Sequence, residues 1–227
     1  MNYSTLGPRA LTGLGKFAIA LAVLIFLPAW SLTYWQGWLY LIVFCGTCFA
    51  TTMYFLLTDP ALVQRRLEAG PTAEREPSQQ IIMGIASLGF VLLIVIPALD
   101  YRWHWSAVPV WLVLVADLGV VLSFFLIVLV LRQNSYAAAT IQVEAGQPVV
   151  SSGVYGVVRH PMYAAALPMF VFTPLALGSY WGLLPVLLVL PAILWRLLDE
   201  EAYLRRHLPG YAEYCSRTRF RLIPGLW

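Results

Sequence analysis

Two polar clusters stand out against a largely apolar chain. The first, Arg159, His160 and Tyr163, lies in "SSGVYGVVRHPMYAAAL", residues 151–167. The second, Arg196, Glu200 and Glu201, lies in "WRLLDEEAYLRRHLPGYAEY", which closes the last apolar run. Arg196 and Glu200 are four residues apart and share one helix face, whereas Glu201 points roughly a hundred degrees away. Two arginines, a histidine, a tyrosine and a carboxylate make a polar ligand site at a membrane surface. The simpler reading is interface anchoring, with arginines snorkelling to headgroups and tyrosines in an aromatic belt. That suits Arg205, Arg206, Arg217, Arg219 and Arg221, and suits His160 and Glu200 less well. Metal ligation has little support, because His104 and His207 are remote from His160 in sequence. There is no strand followed by G-x-G-x-x-G and no P-loop lysine motif.

The elements that must position these residues are membrane helices. The 227-residue chain is 60% hydrophobic and 11% charged, where an ordinary soluble domain is about a quarter charged. Its net charge of +3 is too small to suggest a nucleic-acid partner, and no basic patch interleaved with aromatics occurs. Apolar runs long enough to cross a bilayer recur. They predict spans at 17–34, 37–57, 80–99, 107–131, 162–178 and 180–198. The first is read as a retained helix rather than a signal peptide, because a second span follows closely. The expectation is an all-α polytopic transmembrane bundle of about six spans, ending in a tight helical hairpin. That hairpin would bring the start of the fifth span level with the end of the sixth. Arg159, His160 and Tyr163 would then face Arg196 and Glu200 across a cytoplasmic pocket.

Basic residues set the orientation. Arg9, Lys16, Arg65, Arg66, Arg75, Arg132, Arg159, Arg196, Arg205, Arg206, Arg217, Arg219 and Arg221 fall on one side, and Arg102 alone on the other. Both termini are expected in the cytoplasm, in a bacterial inner membrane or an endoplasmic-reticulum-like membrane. Two regions follow: residues 1–131 with four spans, and residues 132–227 with the connector, hairpin and tail. The connector, 132–160, is too long for a simple helix–helix link. It reads as a binding loop folded against the bundle. Gly153 and Gly156 allow close backbone approach to a ligand, and Pro161 suits a first helical turn.

Other candidates carry weaker signals. Asp117 is an acid deep within a span, which is costly and by default a functional candidate; the simpler reading is a structural, bundle-facing acid. Cys45 and Cys48 form a C-x-x-C within the second span, read as a small-residue packing face. Cys215 reads as a reduced thiol in the tail. Prolines 168, 174, 185 and 191 would bend the hairpin and could open a lateral slot for a lipid-like acceptor. Nothing in the sequence sets an oligomeric state.

"SSGVYGVVRHPMY", an apolar hairpin, "DEEAYL" and "LPGYAEYCSRTRFRLIPGLW" together resemble the isoprenylcysteine carboxyl methyltransferase family. The wider group includes the phospholipid N-methyltransferases, with a shared R-H-P-x-Y plus E-E pattern. The resemblance covers about residues 132–227. It implies an integral membrane methyltransferase using S-adenosyl-L-methionine, with the 132–227 region as its catalytic core. By the same resemblance the cofactor-binding residues are Gln142, Gln147, Pro148, Val149, Val150, Tyr155, His160, Pro161, Met162, Tyr163 and Glu200. Arg196 is the substrate-side arginine, and Arg196, Glu200 and Arg159 form the reacting centre.

The chemistry of such a cofactor agrees with these residues. Glu200 can pair with its ammonium, and His160 with backbone N–H groups can meet its carboxylate. Tyr155 or Tyr163 can pack on the adenine or near the sulfonium. Methyl transfer is an in-line displacement, so catalysis is largely positioning and desolvation. A carboxylate acceptor is already ionised and needs no base, and Arg196 would orient it. A lipid amine would need one, with His160 or Glu201 the nearby candidates. The expected substrate is therefore a prenylated cysteine or another lipophilic small molecule drawn from the membrane lipid. A phospholipid amine, a small thiol, and a non-catalytic protein that kept the fold are the alternatives.

Overall fold

A computed structural model describes residues 5–67, 71–74 and 76–227, so the expectation for Arg75 lies outside the described residues. Regular structure among them is helical throughout. The helices are α1 (Leu6–Ala29), α2 (Trp35–Thr58), α3 (Pro60–Leu67), α4 (Pro77–Trp103), α5 (Val110–Gln133), α6 (Pro161–Ala176), α7 (Val186–His207) and α8 (Tyr211–Arg217). In hydrocarbon a helix satisfies its own backbone groups, so long apolar runs have no competing solution. Five helical stretches are long and apolar enough to cross a membrane: α1, α2, α4, α5 and Trp181–His207, which contains α7. The chain is thus a multi-pass integral membrane protein.

The fifth apolar run differs from expectation in length. At 16 residues, α6 extends about 24 Å, short of the roughly 30 Å hydrocarbon core. The hairpin also opens more than expected. A 3-10 turn at Trp181–Leu183 separates its helices, and Pro185 sits at the N-cap of α7 rather than inside the helix. Pro168 and Pro174 lie within α6 and Pro191 within α7, as expected. In packing, α6 lies chiefly on α5, and α7 chiefly on α4.

Glycines set both contacts. A Cβ at Gly89 of α4 would fall 2.3 Å from Val189 Cγ2, and one at Gly119 of α5 would fall 2.4 Å from Phe172 Cδ2. Small residues at these crossings let the helices approach closely. The outward faces are as apolar as the inward ones: Ile19 is 69% exposed and Leu57 86%. Such faces suit lipid contact. Cys45 and Cys48 are partly buried and pack against the core formed by Ile25, Tyr40, Phe44, Ile94 and Val120.

The end of the bundle opposite the two polar clusters is tied by Asp100, which the sequence reading passed over. It is 1% exposed. Its carboxylate accepts the Ser106 N–H at 2.6 Å, the Ser106 hydroxyl at 2.5 Å, and the Ser179 hydroxyl. The Tyr34 hydroxyl donates to the Leu177 carbonyl nearby. These bonds fasten the end of α4 and the loop after α1 to the turn between α6 and α7.

Candidate functional site

The R-H-P segment is held by the tail. The Arg159 N–H donates to the Phe220 carbonyl at 2.9 Å, and the His160 N–H to the Arg221 carbonyl at 3.0 Å. Pro161 takes a first-turn position of α6, where its missing N–H costs nothing. Arg159 is buried, and its Nη1 reaches the carbonyls of Cys215 and Thr218, each at 3.3 Å. The strap after α8 is thereby clamped against the start of α6.

Glu201 is the hub of this clamp. It is 3% exposed. Arg159 approaches Oε1 at 3.3 Å and Arg205 at 2.8 Å, while Arg221 Nε donates to Oε2 at 2.8 Å. His160 Nε2 stands 3.7 Å from Oε2 and has no hydrogen-bond partner among the described residues. The helical offset expected from the sequence is real, but it turns Glu201 into the protein rather than away from the cluster. Arg159 and His160 therefore meet Glu201, not Glu200. Glu201 is also unsuited to act as a base, because protonating it would leave three guanidiniums facing a neutral group.

Glu200 faces the other way, toward a cavity. Its Oε2 accepts the Tyr163 hydroxyl at 2.5 Å, and no guanidinium among the described residues forms an ion pair with it. Arg196 is engaged elsewhere. It pairs with Glu74 at 2.7 Å, and donates to Gln79 Oε1 at 2.9 Å and to the Ala139 carbonyl at 3.0 Å. Its charge is met by protein, so the expected free fork for an acceptor carboxylate is already filled. It ties α7 to the start of α4 and to the connector.

The cavity, of about 360 Å³, lies between the connector, the start of α6, the end of α7, and α8. Gln142, Gln147, Pro148, Val149, Val150, Tyr155, Arg159, His160, Pro161, Met162, Tyr163, Arg196 and Glu200 all line it. The connector is a binding-loop-like wall with one 3-10 turn at Gly153–Gly156. Gly153 has φ +59, yet its close neighbour is Gln133, whose Oε1 would lie 2.2 Å from an added Cβ. That glycine thus serves the Gln133 contact with the Val154 N–H (2.9 Å) rather than a ligand. Gln147 is likewise occupied, its Oε1 accepting the Glu144 N–H at 3.0 Å.

Several lining residues were not read from the sequence: Arg66, Met83, Asn134, Tyr136, Leu204, Leu208, Tyr211 and Tyr214. Tyr211 and Tyr214 carried a legible signal, being three apart on the short α8. Arg66 and Met83 carried none, because they arrive from elements before α5. The cavity wall is locked by hydrogen bonds from Asn134 Nδ2 to the Tyr155 hydroxyl at 3.1 Å and from the Tyr214 hydroxyl to the Tyr155 carbonyl at 2.7 Å. Burial pushes the Tyr155 and Tyr214 phenols above their ordinary values, so both stay neutral. The outer edge is stapled by Arg65, whose Nε meets Glu144 Oε1 at 2.7 Å and whose Nη1 meets the Ser135 carbonyl at 3.0 Å. That hydrogen bond holds the Glu144 carboxyl below its usual range.

A carboxylate without an ion-pair partner, tyrosine walls, and aliphatic surface from Val149, Leu204 and Leu208 suit a ligand that is part cation and part aromatic ring. Fold and site together define a multi-pass helical membrane protein with a ligand cavity at one end of its bundle. Residues 111–209 match the model of the phospholipid methyltransferase family. The match runs from the first turn of α5 past the end of α7, and so takes in the whole connector and both polar clusters. It bears out the resemblance at the level of the wider membrane methyltransferase group. The coarse reading is that of an enzyme, a membrane methyltransferase. Among curated proteins none matches the chain.

Proposed function

We propose that the protein is an S-adenosyl-L-methionine-dependent methyltransferase that modifies a lipophilic acceptor, with carboxyl methylation of an isoprenylcysteine-like molecule as the favoured reaction. The observation that carries this is Glu200: a carboxylate on a cavity wall, held by the Tyr163 hydroxyl at 2.5 Å and left without an ion-pair partner among the described residues. Such a group calls for a cation from a ligand. The residues present fit this cofactor. Glu200 would take its ammonium, Tyr155 and the apolar wall its adenine, and the orphaned His160 Nε2 a hydrogen bond that the protein does not supply.

When bound, the cofactor supplies an electrophilic methyl group on sulfur. The chain's own residues bind, orient and exclude water. Tyr163 fixes the Glu200 carboxylate. Arg159 and Glu201 hold the R-H-P turn, and Arg196 holds the connector, so both arginines act as positioning residues. A pre-ionised nucleophile suits this site, since the buried Glu201 is saturated by arginines and Glu200 is the cofactor's partner. A phospholipid amine, favoured by the family model that residues 111–209 match, or a small thiol is the second reading. By the distribution of basic residues, the cavity end and both termini face the cytoplasm.

Calorimetric titration of the purified protein with S-adenosylhomocysteine tests the reading. Micromolar binding that Glu200→Ala abolishes is expected. A folded wild-type protein that does not bind this product would overturn it.

A further inference from the structure

Three guanidiniums line the cavity, and two are matched by acids: Arg159 by Glu201 and Arg196 by Glu74. The third is Arg66, from the short helix α3. Among the described residues it has no carboxylate partner. Its one hydrogen bond there runs from Nη1 to the Ala137 carbonyl at 3.0 Å. Its neighbour Arg65, one position earlier, is instead matched by Glu144 at 2.7 Å. A guanidinium has five N–H donors and stays charged at any ordinary pH. Burial works against that charge at Arg66, with only the Tyr155 phenol opposing the effect. A half-buried fork aimed at a cavity, with most of its donors unused, is a receptor for a planar or tetrahedral anion.

The origin of Arg66 says which ligand supplies that anion. The segment similar to methyltransferases begins at residue 111, and the residues read as cofactor-binding all lie within it. Arg66 and Met83 come from outside it and line the same cavity. Met83 offers a soft apolar surface beside the charge. We propose that Arg66 is the acceptor-binding residue that reads a negative charge, so that the methyl acceptor is an anionic amphiphile bearing a carboxylate or a phosphate. This rests on the methyltransferase reading for the identity of the second ligand. The anion site itself stands on a guanidinium that lines the cavity and has no carboxylate partner among the described residues.

The full chain in detergent is titrated with four probes: S-adenosylhomocysteine, N-acetyl-S-farnesylcysteine, the methyl ester of the latter, and lysophosphatidic acid. Wild type is expected to bind the free acid or the lysophosphatidic acid at least tenfold more tightly than the ester. Which of the two is tighter separates a carboxylate source from a phosphate source. Arg66→Met should erase the preference for the anion while changing S-adenosylhomocysteine affinity less than threefold. Arg66→Lys should restore part of the preference, and Arg65→Met should leave it intact. A wild type that binds neither the acid nor the lysophosphatidic acid more tightly than the ester overturns the proposal, as does an Arg66→Met that loses S-adenosylhomocysteine and the preferred anion equally. A wild type that does not bind S-adenosylhomocysteine yet still prefers an anion over the ester would instead sink the cofactor reading and leave the anion site standing.

Discussion

Arg159, just ahead of α6, lies 3.3 Å from Glu201, a residue 42 positions later on α7. This pairing turns two sequence motifs into one object, because the same carboxylate also holds Arg205 and Arg221. Glu200 and Glu201 are adjacent yet divide the work. One faces the cavity and the other the clamp beneath it.

Their substitution should separate stability from binding. Removing one member of a buried ion-pair network leaves uncompensated charge and costs about 3–5 kcal/mol. Glu201→Gln is therefore expected to lower the thermal midpoint in detergent sharply. Glu200→Gln should change the midpoint little while abolishing S-adenosylhomocysteine binding. Equal midpoints for the two variants would contradict the division.

The crossing glycines predict a second contrast. Gly89→Ala places a Cβ 2.3 Å from Val189, whereas at Gly84 on the same helix an added Cβ has nothing within 4 Å. Overpacking of this kind costs about 1–3 kcal/mol. Gly89→Ala should destabilise measurably. Gly84→Ala should be neutral or slightly stabilising, since it removes only the flexibility of glycine within a helix.

Acid should loosen the connector. The Arg65 hydrogen bond depresses the Glu144 carboxyl below its ordinary 4.5. A depressed carboxyl contributes stability that is present above its unfolded value and is lost as pH falls through the folded one. Hydrogen exchange across residues 140–150 should therefore show protection that declines below about pH 4.5, less so in high salt, because the pair is partly exposed. In Glu144→Gln that pH-dependent part should be gone. Identical profiles for the two proteins would refute it.

Much of this site was legible because its chemistry is local. Pro161 at a helix start, apolar runs of span length, and polar residues at the ends of two consecutive runs could all be read from residue order. What escaped depends on rotation and on distant partners. Nothing local says which of Glu200 and Glu201 turns inward, and hairpin geometry alone leaves the partner of Arg159 open among ligand, lipid phosphate and Glu201. The acid that occupies Arg196 is Glu74, 122 residues earlier. The helices α3 and α8 are short and charged, so hydropathy did not register them, although both bring residues to the cavity. Asp100 lies at a span end, where an acid draws no notice, yet it fastens the far end of the bundle.

Asp117 is the acid that did draw notice, and its surroundings argue for a structural cost rather than a catalytic role. It is 5% exposed, and neither carboxyl oxygen has a hydrogen-bond partner among the described residues. Along α5 it is 17 residues from Asn134, the first cavity residue of the connector, or about 25 Å at helical rise. An orphaned buried polar group costs about 1–3 kcal/mol, and an apolar residue of similar bulk removes that cost without opening a void. Asp117→Val is therefore expected to raise the thermal midpoint and to leave S-adenosylhomocysteine affinity and methyl transfer within twofold of wild type. A stabilised variant that loses methyl transfer would show that the carboxyl acts on the reaction from the membrane interior.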